Sequence, residues 1–167
     1  PLNANEAWKQ QDGGLNVRER IEHVYAKEGF ASIPPEDLSG RFRWWGLYTQ
    51  RKPGIDGGRT AQLDDTELSD EFFMLRVRLD GGALTLAQLR VLARIAREYD
   101  HPSKEVFDKA IGTQATWGTT HLPVGYGHFT TRQNVQFNWI PLERSADVMD
   151  LLATVDMHGI QTSGNCI

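Results

Sequence analysis

The sequence predicts an α+β fold, in which strands and helices alternate along the second half of the chain. Two segments, residues 72–80 and 129–139, alternate apolar and polar side chains with the two-residue period of a half-buried strand. Two others, which follow Thr85 and Ser145, repeat apolar residues at helical spacing. The order strand, helix, strand, helix is typical of helices packed on one face of a sheet.

The composition is that of a soluble globular protein, with 40% hydrophobic and 24% charged residues among 167. A formal net charge of −4 argues against general nucleic-acid binding unless a basic patch is present, and no apolar run approaches the length of a membrane span. The single cysteine, Cys166, excludes an internal disulfide framework and a metal site made of cysteines alone, and it fits a reducing compartment. Because the chain begins at Pro1 without an initiator methionine and stops at Ile167, we expect a fragment of a cytoplasmic protein.

The first part of the chain, residues 1–58, is expected to hold an amino-terminal arm, a helix and an aromatic-rich segment. Residues 1–15 show no periodicity and predict an extended arm. Asn16 begins the Asn-x-x-Glu spacing of a capping box, and it precedes a short amphipathic helix that Gly29 is placed to end. The densest aromatic segment, RFRWWGLYTQR, follows at residues 41–51.

The second part, residues 59–167, is expected to hold the sheet domain. Its first strand has an apolar face, made of Phe73, Leu75, Val77 and Leu79. The opposite, polar face of that strand holds Met74, Arg76, Arg78 and Asp80. After Thr85, which is placed to cap a helix, the expected buried stripe is Leu89, Leu92, Ala93 and Ala96. The second helix, which Ser145 is placed to cap, is expected to bury Val148, Met149, Leu152 and Val155.

The second strand carries the most functional information, because one of its faces is entirely polar. That face is expected to hold Thr130, Arg132, Asn134, Gln136 and Asn138. The opposite face is expected to hold Thr131, Gln133, Val135, Phe137 and Trp139. Between the helix after Thr85 and this strand, residues 101–124 have mixed periodicity and form a long insertion that we expect to be partly ordered at best.

A polar sheet face most often meets water, and that remains one interpretation. The amides, hydroxyls and arginine on this face differ, however, from the mixture of lysine and glutamate that is typical of a solvated face. If the strands share a sheet, Arg76 and Arg78 could converge with Arg132 on one anion, since a guanidinium presents a planar fork of donors suited to carboxylates and oxyanions. His121 and His128 have no recognised metal-ligand spacing and are expected to be solvated loop histidines.

Four sequence segments, taken in order, resemble the ferredoxin-dependent sulfite and nitrite reductases. They are RFRWWGLYTQR at 41–51, FMLRVR followed by two glycines at 73–82, TTRQN continuing to tryptophan at 130–139, and IQTSGNC at 160–166. The resemblance covers nearly the whole chain except residues 101–124. It implies a ferredoxin-like half-domain from the amino-terminal half of a cytoplasmic enzyme that carries sirohaem bridged to a 4Fe-4S cluster. Such enzymes use six electrons from ferredoxin to reduce sulfite to sulfide or nitrite to ammonia.

The resemblance also implies roles for individual residues. Arg76 matches the arginine of the substrate pocket, where it would hold the oxyanion and stabilise charge as bonds to oxygen break. Arg132 matches the arginine that grips sirohaem carboxylates. The other implied cofactor-binding residues are Thr130, Thr131, Gln136, Asn138, Tyr48 and Gln50. Asn138 departs from the histidine found in many members of the family, which puts its role in doubt.

The four cysteines that hold the cluster belong to the second half of such enzymes and are absent from this chain, so the chain alone is expected to be inactive and to hold no metal. The aromatic segment resembles that of the sulfite-reducing members more closely, so sulfite is the expected substrate and nitrite is the alternative. Two other hypotheses remain. The chain could be a binding module for a small anion or single-stranded nucleic acid, which predicts stacking aromatics beside Arg132. It could also be a degenerate structural remnant, which predicts that Arg76 and Arg132 face solvent or neutral partners.

Overall fold

The computed structural model describes residues 2–52, 55, 63–101, 125 and 127–162. Its centre is a four-stranded antiparallel sheet with the strand order β1-β2-β4-β3. The strands are β1 (Leu47–Arg51), β2 (Leu68–Val77), β3 (His128–Phe129) and β4 (Val135–Pro141). The helical segments are α1 (Ala4–Gln11), α2 (Val17–Arg20), α3 (Ala26–Glu28), α4 (Phe42–Trp44), α5 (Leu86–Glu98) and α6 (Ser145–Ala153). The predicted α+β fold is confirmed.

One face of the sheet forms the hydrophobic core, as the alternation in β2 predicts. Phe73, Leu75 and Val77 are each at most 1% exposed, and the register places Leu75 between Leu47 of β1 and Phe137 of β4. The core continues into the helices through the buried side chains of Leu92, Ile95, Val148 and Leu152. Since α5 and α6 cover this side, the alternate residues of the strands lie on the other side of the sheet.

The amino-terminal segment is helical and not an extended arm. Asn3 caps α1, because its Oδ1 accepts a hydrogen bond of 3.0 Å from the backbone N–H of Glu6. Asn16 was expected to cap the next helix, but its backbone is itself helical (φ −64°, ψ −20°) and its side chain donates to Asp12 instead. That helix runs from α2 through a π-helical turn into α3 and ends at Gly29 (φ 85°), as predicted.

A buried ionic cluster holds this helix against the next one. Asp37, which is 1% exposed, accepts hydrogen bonds from Arg20 Nε (2.9 Å), Tyr25 Oη (2.6 Å) and Arg41 Nη1 (2.5 Å). Burial alone would raise the pKa of Asp37, but the hydrogen bonds from these three donors outweigh it and hold the pKa below the ordinary value. The cluster fixes the segment that leads through α4 into β1.

The expected second strand, 129–139, is instead a hairpin. The Thr130 N–H donates to the Asn134 carbonyl at 2.8 Å, and Gln133 has a left-handed backbone (φ 61°) that ends the extended conformation. Residues 131–133 therefore form an exposed turn between β3 and β4. The prediction was wrong because period-two alternation continues through Thr-Thr-Arg-Gln-Asn without any glycine or proline to mark the turn.

The two long helices lie where the periodicity places them. Thr85 caps α5 in a capping box with Gln88, as expected, and Arg90, Arg94 and Arg97 lie on its exposed face. Leu89 is 46% exposed, however, and Ile95 completes the buried stripe with Leu92. In α6, Val148, Met149 and Leu152 are buried as expected. The predicted Ser145 cap is absent, because its hydroxyl donates to the Leu142 carbonyl.

Of the expected insertion 101–124, only His101 lies within the described residues. None of the described helices is long and apolar enough to cross a membrane.

Candidate functional site on the polar face of the sheet

The face of the sheet opposite the core carries a row of four polar side chains. Strand register places Gln136 of β4 between Arg76 of β2 and His128 of β3. Tyr48 of β1 is paired with Met74 of β2, and Met74 and Arg76 are two residues apart on that strand. The Tyr48 ring therefore lies on the same face of the sheet as Arg76, as its diagonal neighbour. All four are half-buried. We call Tyr48, Arg76, Gln136 and His128 the polar row.

Hydrogen bonds connect three members of the polar row. In the amide orientation that satisfies both neighbours, Gln136 Oε1 accepts from Arg76 Nε at 2.7 Å and from Arg76 Nη2 at 3.1 Å. The amide nitrogen then donates to His128 Nε2 at 3.0 Å. A guanidinium can only donate, so in this arrangement His128 Nε2 is the acceptor of the hydrogen bond from Gln136.

Tyr48 supports Arg76 from the other side. The guanidinium carbon lies 5.1 Å from the centre of the Tyr48 ring, which is within the range of a cation–π contact. The Tyr48 hydroxyl oxygen is buried and has no hydrogen-bond partner among the described residues. A buried hydroxyl without a partner is rare and costly, and it indicates a place where a bound acceptor or water belongs.

Close packing of neighbouring backbone segments fixes the main chain at Arg76. The Arg76 N–H donates to the Gly46 carbonyl at 2.8 Å. A Cβ on Gly46 (φ 80°) would lie 2.5 Å from the carbonyl oxygen of Arg76 and 2.7 Å from that of Gly159. A Cβ on Gly159 would meet the Trp45 carbonyl oxygen at 2.2 Å. Two segments, at residues 45–46 and 159, therefore pack their backbones against the β2 position that bears Arg76, and only glycine permits this at 46 and 159.

Gln50 and Asn138 lie next to the polar row but are joined to each other. The Gln50 amide donates to the Asn138 carbonyl, at a point where β4 bulges relative to β2. The neighbouring Trp139 N–H, which the bulge removes from the ladder, donates to the buried Asp100 carboxylate at 2.6 Å. Gln50 and Asp100 thus stabilise the bulge, and the predicted ligand role of Gln50 competes with this contact.

Arg132 does not lie on a strand of the sheet, as Arg76 does. It lies in the exposed hairpin turn together with Thr131, so the expected alignment of the two arginines on one face is wrong. Thr130 precedes the turn, and its hydroxyl accepts a hydrogen bond of 3.3 Å from the Asn134 N–H. Gln133, expected opposite Arg132, belongs to the same turn and is also exposed.

Arg78 does not join Arg76 either. It follows the end of β2, where its Nε pairs with Asp80 at 2.6 Å and its Nη1 donates to Gln161 at 3.0 Å. The side chain is 40% exposed. Arg76 and Arg78 therefore do not converge as expected, and Arg76 alone of the two belongs to the polar row.

His128 was missed as a functional candidate, because it was expected to lie in a loop. The sequence has no local signal for this role, because His128 comes opposite Gln136 only once the turn is known to be centred on Arg132. The described part of the chain contains no group of three or more histidine, cysteine, aspartate and glutamate residues that could hold a metal ion.

The arrangement is suited to binding an anion over the sheet. Arginine remains charged at all working pH values, and its two contacts to a neutral amide, together with the Tyr48 ring, limit the conformations of its side chain. A neutral acceptor such as Gln136, unlike a carboxylate, does not cancel the guanidinium charge. The polar row therefore holds a positioned cationic group, Arg76, beside the Tyr48 hydroxyl, which has no hydrogen-bond partner among the described residues.

Comparison with known proteins identifies the domain. Residues 67–103 and 122–155 match the family described as nitrite/sulfite reductase ferredoxin-like half domain. The sulfite reductase (ferredoxin) of Mycobacterium tuberculosis H37Rv is 42% identical over 166 residues, which cover 99% of this chain and 26% of that protein. The assimilatory ferredoxin-dependent nitrite reductase of Haloferax mediterranei is 29% identical, over 96% of this chain and 23% of that protein.

A solved structure agrees with the sequence comparison. The structure of the Mycobacterium tuberculosis NirA protein superposes with a TM-score of 0.73 at 41% identity, over 96% of this chain and 25% of that chain. The chain thus spans about a quarter of the length of the relatives it matches. With its helix-covered four-stranded sheet, it belongs to the nitrite and sulfite reductase family and carries the ferredoxin-like half domain of that family.

Proposed function

We propose that this chain is the amino-terminal part of a sirohaem-dependent reductase that converts sulfite to sulfide with six electrons from ferredoxin. The observation that carries the proposal is the polar row, in which Arg76 is held by Gln136 and Tyr48 on the face of the sheet opposite the core. The preference for sulfite rests on similarity: the sulfite reductase relative is 42% identical, whereas the nitrite reductase relative is 29% identical. Nitrite is the second candidate, because the same arginine suits either small oxyanion.

The residues present fit a polycarboxylate cofactor such as sirohaem. The buried Tyr48 hydroxyl needs an acceptor, and a carboxylate or a cofactor edge would supply one. Arg132 and Thr131 are exposed in the hairpin turn, where they can reach the carboxylates of a ligand that lies across the sheet edge. When bound, sirohaem with its 4Fe-4S cluster would relay the electrons from ferredoxin and provide the iron at which the oxyanion is reduced. The resemblance implies that the ligands of the cluster lie in another part of the enzyme, and we propose the same here.

The side chains divide into three roles under this proposal. Arg76 binds the substrate oxyanion and stabilises the negative charge that grows as bonds to oxygen break. Arg132, Thr131 and Asn138 hold the cofactor rim. Thr130 and Gln50 act on the cofactor only indirectly, since Thr130 closes the hairpin and Gln50 supports the β4 bulge.

The test is the steady-state reduction of sulfite by the full-length protein with reduced ferredoxin. Arg76→Ala should lower kcat/KM for sulfite about 100-fold, the usual effect of removing one charged donor from a developing anion. Arg90→Ala is the control, because Arg90 lies on the exposed face of α5, and it should stay within about twofold of the parent. If Arg76→Ala has the same kcat/KM as the control, or if the protein reduces neither sulfite nor nitrite, the proposal is wrong.

A further inference from the structure

His128 contacts Gln136, the residue of the polar row that holds Arg76. Its Nε2 lies 3.0 Å from the Gln136 amide, and Gln136 in turn contacts Arg76 through two hydrogen bonds. The three residues come from three neighbouring strands, and the register puts each directly opposite the next. The chain of contacts is therefore built into the sheet and does not depend on a flexible loop.

The chemistry of the three side chains decides which atom donates and which accepts in each hydrogen bond. A guanidinium can only donate, so the atom of Gln136 that faces Arg76 must be the amide oxygen. The amide nitrogen then faces His128, which must accept. If His128 were replaced by a group that cannot accept at this point, the amide nitrogen would lose its partner. The amide would then be free to rotate its oxygen away from Arg76.

We propose that His128 is a positioning residue: its Nε2 fixes the orientation of the Gln136 amide, and the amide oxygen holds the guanidinium of Arg76 in the direction needed for the oxyanion. This inference rests on the proposed function for its catalytic consequence, but not for the contacts themselves. It also changes the role of Gln136, which supports the substrate arginine and is not primarily a cofactor ligand.

Two substitutions at residue 128 separate this role from simple packing. The side-chain amide of glutamine reaches the position of the histidine Nε2, whereas that of asparagine reaches only the position of Nδ1. His128→Gln therefore keeps an acceptor for Gln136, and His128→Asn removes it. Both are polar amides with similar effects on a half-buried strand, so a merely structural role would not distinguish them.

The first readout is the Arg76 Nε–H signal in the NMR spectrum of the protein labelled with nitrogen-15 arginine, assigned by its loss in Arg76→Lys. In His128→Asn, we expect faster exchange of this proton with water, by about three- to tenfold, as for the loss of one neutral hydrogen bond. In His128→Gln the exchange rate should stay within about twofold of the parent. Equal exchange rates in the two variants would overturn the inference.

The second readout is kcat/KM for sulfite in the full-length protein. It should fall by about three- to tenfold in His128→Asn and recover in His128→Gln. If the NMR readout separates the two variants while the parent reduces neither sulfite nor nitrite, the positioning role stands and the proposed function fails. If the parent is active and both variants have the same kcat/KM, the positioning role fails and the proposed function stands.

Discussion

Replacing Asp37 by alanine should destabilise the protein by about 3–5 kcal/mol, the usual cost of removing one partner from a buried ion pair. Asp37 is 1% exposed and accepts hydrogen bonds from Arg20, Tyr25 and Arg41. The substitution leaves the Arg41 guanidinium, whose side chain is 7% exposed, without its carboxylate. Arg20 retains its contact with Asp12 at 2.5 Å, so Arg41 and Tyr25 account for most of the loss.

The assay is equilibrium unfolding in urea, followed by circular dichroism, with the free energy of unfolding extrapolated to water. Asp150→Ala is a matched control: Asp150 pairs with Arg18 at the surface, where its side chain is 66% exposed. Exposed pairs contribute about 0.2–1 kcal/mol, so the control should lose no more than that. A loss below about 1 kcal/mol for Asp37→Ala would refute the argument that the cluster stabilises the amino-terminal helices.

Two further predictions concern Tyr25 and Gly46. Burial, and then the hydrogen bond to Asp37, raises the pKa of Tyr25 to about 12. The stabilisation that Tyr25 contributes should therefore be complete below pH 10, the ordinary pKa of tyrosine, and be lost as the pH rises through 12. Tyr25→Phe should therefore flatten the fall in unfolding free energy between pH 10 and pH 12, and an unchanged slope would contradict this assignment. Gly46→Ala should cost more than about 3 kcal/mol, because the added Cβ meets two carbonyl oxygens and the backbone is left-handed. Gly81→Ala, also left-handed but with no atom within 4 Å of the added Cβ, should cost only about 1 kcal/mol in the same urea titration, and equal losses would exclude the steric explanation.

The sequence was sufficient to predict the core of the sheet and its helices. The alternation of Phe73, Leu75 and Val77 decided which face of β2 is buried, because each apolar side chain on that face contributes to the same core. The same alternation placed Arg76 on the face opposite the core. The Thr85 capping box was also predictable, since both of its hydrogen bonds are local.

The errors come from contacts between residues that are distant in sequence. Nothing near Arg132 indicates that the chain turns there, and the turn follows from pairing between β3 and β4. Local spacing made Asn16 a helix cap, but Asp12 competes for its side chain. The polar row was predicted in part: Tyr48, Arg76 and Gln136 were chosen through family resemblance, whereas the contribution of His128 requires the register.

The most direct test of the polar row as an oxyanion site is a sulfite titration of the full-length protein, followed by the absorption spectrum of the sirohaem that we propose it binds. Arg76→Ala should retain sirohaem and yet need at least about tenfold more sulfite for half-saturation, because a hydrogen bond to a charged group is lost. Arg132→Ala should instead lower the sirohaem content per chain. If Arg76→Ala titrates with sulfite as the parent does, the assignment of Arg76 to the substrate is contradicted.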